Sequence, residues 1–180
     1  MNKLLHSIIL DRKNNSIRSF IILLFYRLTH DAYIKINYLT QRLKDVSFMY
    51  VCMYVCRFWL ILLTFIKELV FFFLRIDAQI SEKALIGDNI RLPHSGNGVI
   101  ISSKAVIEDN VTIYHQVTIG INEFKALEDQ HVVIRKNCYL SAGCKVINCE
   151  VGEKSKIGPN AVVYKDIPPN SFYVSDNILY

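Results

Sequence analysis

At 180 residues the chain has room for one domain with a sizeable core and one appendage. Its 52% hydrophobic content is high for a soluble protein. The net charge of +5 lies in residues 1–45, where eight Lys or Arg face three Asp; the other 135 residues carry thirteen of each sign. The repeat region has no basic run with interleaved aromatics, so nucleic acid is not an expected partner. Five cysteines, an odd number, suit a reduced cytoplasmic protein better than a disulfide-built secreted one. The opening MNKLLHSIILDRK is not a signal peptide, because its apolar run is short and Asp11, Arg12 and Lys13 follow. Residues 16–29 read as an amphipathic helix: Ile17, Phe20, Ile21, Leu24, Phe25 and Leu28 form one stripe, and Asn14, Asn15 and Ser16 are N-cap candidates. Residues 30–45 are expected to be a polar connection with a second short helix. In 46–76 the run VSFMYVCMYVCRFWLILLTFI is long enough to span a bilayer, yet Arg57 near its middle would be costly there. Three readings stay open: helices packed on one another and on neighbouring copies, a helix lying in a membrane interface with the basic leader toward anionic lipid, and a true span. Cys52 and Cys56 have helix-face spacing, with no further ligand nearby to complete a zinc site.

From Ile76 the rhythm changes. Aliphatic residues recur every six positions at Ile101, Ile107, Ile113 and Ile119, and a compact residue stands four places after each of the first three, at Ala105, Val111 and Val117. The same pattern holds upstream at Ile80, Ile86 and Leu92. It continues downstream at Ile134, Leu140, Val146, Val151, Ile157 and Val163, with Cys138, Cys144, Ser155 and Ala161 in the small-residue slots. A period of six fits neither an α-helix nor a single strand, and is the period of a hexapeptide β-helix. Each hexad then makes a short strand and a corner, three hexads close a coil, and the aliphatic residues stack inward. The rhythm breaks after the hexad carrying His94, over 121–133, and between Val146 and Val151; such breaks belong at corners and collect on a binding face. Pro168 and Pro169 end strand pairing. The expected divisions are a helical region 1–75, a β-helix 76–168 and a tail 169–180 that folds back as a cap without repeats.

The stretch IRLPHSGNGVIISSKAVIEDNVTIYHQVTIG resembles the central motif of the serine acetyltransferase family of hexapeptide-repeat acyltransferases, and IGPNAVVYKDIPPNS resembles that superfamily's last coil. The motif, with SIRSFIILLFYRLTH and ILLTFIKELVFFFLRI, is more similar still to the branch that acetylates bacterial polysaccharides, typified by the colanic acid acetyltransferase. The resemblance implies a mainly β fold, a left-handed parallel β-helix behind a helical leader, assembled as a homotrimer and using acetyl-CoA without a metal.

It also implies site residues. His94 aligns with the family's catalytic histidine, and an imidazole with a pKa near 6.5 suits removal of a hydroxyl proton. The aspartate that orients that histidine, 15 residues earlier in the family, is here Gln79. His115, in the next coil, can reach the same groove as a substrate contact or be a solvated corner. Asp129 and His131 match an acceptor loop whose arginine is replaced by Gln130, and Pro93 stands where the family has a second aspartate. Ser141, Ala142 and Gly143 match a small-residue corner along the pantetheine arm. Lys156, Gly158, Pro159 and Lys165 are candidates for the nucleotide end. Loss of the groups that hold serine favours a neutral sugar, so the expected activity is acetyl-CoA-dependent O-acetylation of a capsule, O-antigen or exopolysaccharide sugar. Serine O-acetylation in cysteine synthesis and a non-catalytic trimeric scaffold are the rival readings. The protein is expected in the cytoplasm, with peripheral contact to the inner membrane face.

Overall fold

The computed structural model describes residues 3–42, 47–174 and 177–179. From Gln79 onward the chain visits three sheets in strict rotation. The first sheet stacks β1 (Gln79–Ile80), β3 (Ile100–Ile101), β6 (Thr118–Gly120), β9 (Lys145–Ile147) and β12 (Val162–Val163). The second stacks β2 (Leu85–Ile86), β4 (Ala105–Ile107), β7 (Val132–Ile134) and β10 (Glu150–Val151). The third stacks β5 (Thr112–Ile113), β8 (Tyr139–Leu140), β11 (Lys156–Ile157) and β13 (Phe172–Val174). All these pairings are parallel. Single bridges from Arg91 to Thr112 and from Val151 to Ile167 extend the third and second sheets by one rung.

The register explains the six-residue period. In the first sheet Ile101, Ile119, Val146 and Val163 are successive partners. In the second they are Ile86, Ile107, Ile134 and Val151, and in the third Ile113, Leu140, Ile157 and Tyr173. All of them are buried, as are the compact residues Ala105, Val111, Val117, Cys138, Cys144, Ser155 and Ala161. Each inward aliphatic side chain contributes about 1.5–3 kcal/mol by leaving water. The corners require left-handed backbone, and asparagine supplies it at Asn89, Asn110, Asn137, Asn160 and Asn170, all with positive φ. Asparagine tolerates that region better than most residues do.

Three helices, α1 (Lys3–Asn14), α2 (Ile17–Arg42) and α3 (Ser47–Leu74), close the first end of the coil. Ile22, Leu23, Tyr26 and Phe71 join one core with Ala84, Ile90 and Leu92. Polar groups lock the joint. Ser19 donates to the Leu92 carbonyl at 2.6 Å, Tyr26 to the Ala84 carbonyl at 2.9 Å, and Asn15 both donates to the Ile90 carbonyl and accepts from the Leu92 amide, each at 2.7 Å. Buried Arg27 pairs with buried Asp11 at 3.0 Å and donates to the carbonyls of Ile86 and Gly87 at 2.7 and 2.5 Å.

Helix α2 runs well beyond residue 29, where the sequence suggests a connection and a second short helix. Ile36, one heptad beyond Thr29, is buried as Thr29 is, so the inward stripe simply continues. The run after Ser47 is one helix; residues 43–46 and the side chains of 47–53 lie outside the described residues. No helix among the described residues is long and apolar enough to cross a membrane. In the tail, Ile167 and Tyr173 fill the next inward slots, so the repeat outlasts the two prolines. Strand β14 (Asn177–Leu179) then returns antiparallel to β13.

Candidate active site

His94 sits in the corner between the third and first sheets, in a short 3-10 turn, Pro93–Gly96, whose backbone is unusual. His94 and Ser95 both have left-handed φ, 54° and 64°, followed by Gly96 at 60° and Gly98 at 65°. Left-handed backbone costs a non-glycine residue about 1–2 kcal/mol, and such strain gathers at functional sites. Gly98 is held from below by donating its N–H to the Asp77 carbonyl. The imidazole of His94 is exposed at the rim.

The same corner recurs in each coil, and backbone hydrogen bonds tie the copies into a column. Gln116 donates to the Asn97 carbonyl at 2.7 Å, Gly143 to the His115 carbonyl at 3.0 Å, and Asn160 to the Ala142 carbonyl at 2.9 Å. His94, His115, Ser141, Ala142, Gly143, Gly158 and Pro159 therefore share one edge. The ring of His115 lies edge-on to His94 with centroids 5.0 Å apart, and its Nδ1 is buried without a hydrogen-bond partner among the described residues. Gly143 has φ of 71°, and a Cβ there would collide with the Asn160 side chain. The position thus needs glycine for the coil itself, beyond any need for space outside it.

Two further residues, one at this edge and one on the adjoining third sheet, carry little signal in the sequence. Tyr114 lies 5.6 Å from His94 between ring centroids, and Tyr139 lies 5.1 Å from Tyr114. Burial, then a hydrogen bond with Tyr114, push the Tyr139 phenol up to about 12, so it stays a neutral donor. What could have found them is faint: aromatics at outward positions of successive coils. Gln79 lies in β1 of the first sheet, with its backbone N–H bonded to the Val99 carbonyl; among the described residues its side chain makes no hydrogen bond to His94.

Other candidates are elsewhere. Asp129 and His131 belong to the exposed loop between β6 and β7, at the corner from the first sheet to the second. There the Asp129 carbonyl accepts from Asn148 at 3.0 Å and lies 3.1 Å from His131 Nδ1. Lys165, between β12 and Ile167, shares that edge. Lys156 is on the outer face of the third sheet, beside Tyr139 and Phe172. One chain therefore splits the candidates over two edges and the outer face of the third sheet. Among the described residues no group of three His, Cys, Asp or Glu is placed to hold a metal ion. The cysteines Cys138, Cys144 and Cys149 are buried and free, and burial first of all pushes their thiols up to about 11, 12 and 12.

No protein-family profile matches the chain. It is 40% identical over 94 residues to the serine acetyltransferase of Buchnera aphidicola subsp. Schizaphis graminum, covering 52% of this chain and 36% of that protein. To the serine acetyltransferase of Escherichia coli K12 it is 36% identical over 96 residues, 53% of this chain and 34% of the relative. The chain thus spans about a third of the length of these curated relatives. Among solved structures, the Brucella abortus serine acetyltransferase in complex with coenzyme A superposes with a TM-score of 0.63 at 29% identity, over 90% of this chain and 56% of that one. The Neisseria gonorrhoeae serine acetyltransferase in complex with serine superposes at 0.66 over 97% of this chain and 66% of that one; its 21% identity speaks for the fold alone.

These findings overturn the sugar O-acetylation expected from the sequence, because the relatives are serine acetyltransferases. That expectation leans on Pro93 and Gln130, and both have local duties. Pro93 opens the corner turn at its first position, and the Gln130 amide is spent on the Lys125 carbonyl at 3.0 Å inside its own loop. Over its repeats in sequence, and over nine-tenths of its length in fold, the chain is similar to the serine acetyltransferases.

Proposed function

We propose that this protein is an acetyl-CoA-dependent serine O-acetyltransferase, built on a left-handed coil of hexapeptide repeats and acting as a homotrimer in the cytoplasm. The observation that carries the reading is the corner column: the strained, exposed His94 stands on the same edge as the small-residue corner of Ala142 and Gly143. The names of the relatives and the coenzyme A bound to the Brucella protein support the donor and the acceptor.

In the reaction, His94 takes the proton of the serine hydroxyl as its oxygen attacks the thioester carbonyl. The tetrahedral intermediate collapses, the C–S bond breaks, and the CoA sulfur leaves with the proton that His94 returns. His115 lies against His94 as an acceptor contact. Ser141, Ala142 and Gly143 line the pantetheine path, with Gly158, Pro159 and Lys156 toward the nucleotide. Asp129, His131 and Lys165, on the other edge, act at a neighbouring copy's His94 column; this is the reason a trimer is needed. The helical region 1–75, the coil 76–168 and the tail 169–180 are the working divisions.

Purified protein with acetyl-CoA and L-serine tests the reading by release of free thiol. Serine-dependent release that is lost in His94→Ala is expected. No release above the acceptor-free rate would overturn it.

A further inference from the structure

Two rings of the next coil close on the imidazole of His94. The Tyr114 ring stands 5.6 Å away between centroids, tilted by 49°, and the His115 ring stands edge-on at 5.0 Å. Both separations lie in the range over which aromatic rings attract one another. Among the described residues neither nitrogen of His94 has a hydrogen-bond partner, and the side chain is otherwise exposed at the rim. The left-handed turn fixes where the His94 side chain leaves the backbone. It does not fix the torsions of the side chain, which keep their staggered alternatives. What holds the imidazole is therefore packing.

Tyr114 is itself anchored. Its N–H donates to the Leu140 carbonyl at 3.0 Å, which ties it to the next rung of the coil. Its half-buried ring packs on the hydrophobic core and leans on Tyr139, one coil further on, with centroids 5.1 Å apart. A general base is effective only while its nitrogen faces the proton it takes, so the rotamer of the imidazole bears directly on rate. We propose that Tyr114 is a positioning residue for His94: its ring, anchored on the core and on Tyr139, keeps the imidazole in the rotamer from which it takes the acceptor's proton. The inference rests on the proposed function, in which His94 is the base. The role belongs to the ring and not to the phenol hydroxyl, because the contact between the two side chains is ring on ring and, among the described residues, includes no hydrogen bond.

Tyr114→Leu keeps an apolar side chain on the core and removes the ring. It is expected to lower kcat by about 2- to 12-fold, the weight of one aromatic pair expressed as a rotamer population. The KM for acetyl-CoA and the circular dichroism of the coil should not change, and Tyr114→Phe should restore the rate. A second readout needs no acceptor. In full-length protein isotope-labelled at histidine, the ring current of Tyr114 displaces the His94 ring-proton signal, which is identified by its absence in His94→Ala. The displacement is expected in the wild type and in Tyr114→Phe, and is expected to collapse in Tyr114→Leu. An unchanged kcat in Tyr114→Leu overturns the proposal. So does a raised KM for acetyl-CoA at unchanged kcat, which would make Tyr114 a wall of the donor path. An equal loss in Tyr114→Phe also overturns it, by giving the role to the hydroxyl. If the wild type releases no thiol with L-serine, the proposed function fails on its own, and the His94 signal then decides. A signal at the position of a free histidine in the wild type, or one that Tyr114→Leu leaves in place, overturns the positioning role.

Discussion

The coil and the helical leader treat apolar side chains in opposite ways. Along the coil, stacked residues such as Ile113, Ile119, Leu140 and Val146 have no exposed surface, and each is covered by its equivalents one turn above and below. In the leader, Ile22, Leu23 and Phe71 are buried in the core shared with the coil's first rungs, while Phe58, Trp59, Phe65 and Phe72 stay mostly exposed. A solenoid satisfies itself by repetition, and its neighbours in sequence are its neighbours in space. A helical plug has only one end of a coil to cover and keeps a second face for something else. The strained corner thereby belongs to the coil, and the open apolar surface to the helices that cap it.

The separation can be tested by striking each region in turn. The largest effect is expected in the coil's corner. His94→Ala is predicted to lower turnover by about 10²–10⁴, as for loss of a general base, with the circular dichroism of the coil unchanged. Retention of more than half the activity would mean that the corner does not carry the chemistry.

Next comes the joint between the regions. Arg27→Ala leaves Asp11 buried without its cation and is predicted to cost about 3–5 kcal/mol in urea unfolding. Burial holds the Asp11 carboxyl above its ordinary range even with Arg27 present. A raised folded-state value means that the folded protein binds the proton more tightly than the unfolded chain. The contribution is therefore favourable below the unfolded value, near 4, and is lost as pH rises through the folded one. Without Arg27 the loss deepens, so the variant's deficit should be smaller at acidic than at neutral pH. A deficit independent of pH would show that Asp11 is not the group left stranded.

A smaller effect is expected at Gly143. Gly143→Ala puts a Cβ onto Asn160 at a left-handed position and should destabilise by about 1–2 kcal/mol or more, together with a higher KM for acetyl-CoA. Read from the sequence alone, a larger side chain here would block the cofactor and spare the coil. The contact with Asn160 instead makes the coil sensitive. Wild-type stability in this variant would restore the simpler view.

The smallest perturbation is thiol labelling of the native protein. Cys138, Cys144 and Cys149 are buried with raised thiol values and should stay unmodified, whereas the partly exposed Cys56 reacts. Peptide mass spectrometry reads this directly. Labelling of Cys144 without denaturant would mean that the coil opens locally.

Much of the coil is legible in the amino-acid sequence by itself, because a period of six is a local property: the positions of Ile101, Ile107, Ile113 and Ile119 dictate which residues turn inward wherever the rungs stack. The identity of His94 as a corner residue is legible for the same reason, since breaks in the rhythm mark corners. Tertiary structure decided what depends on contacts between coils. It made one column of His94, His115 and Gly143, and it put Tyr114 beside the imidazoles and Tyr139 against Tyr114. It also sent Asp129, His131 and Lys165 to another edge and extended the repeat through Tyr173. In the leader the sequence determined only that helices form, because an apolar run shows how much surface must be buried and not against what. Which side of α3 is buried follows from its packing against α2, as at Phe25 and Phe71, which no local pattern encodes.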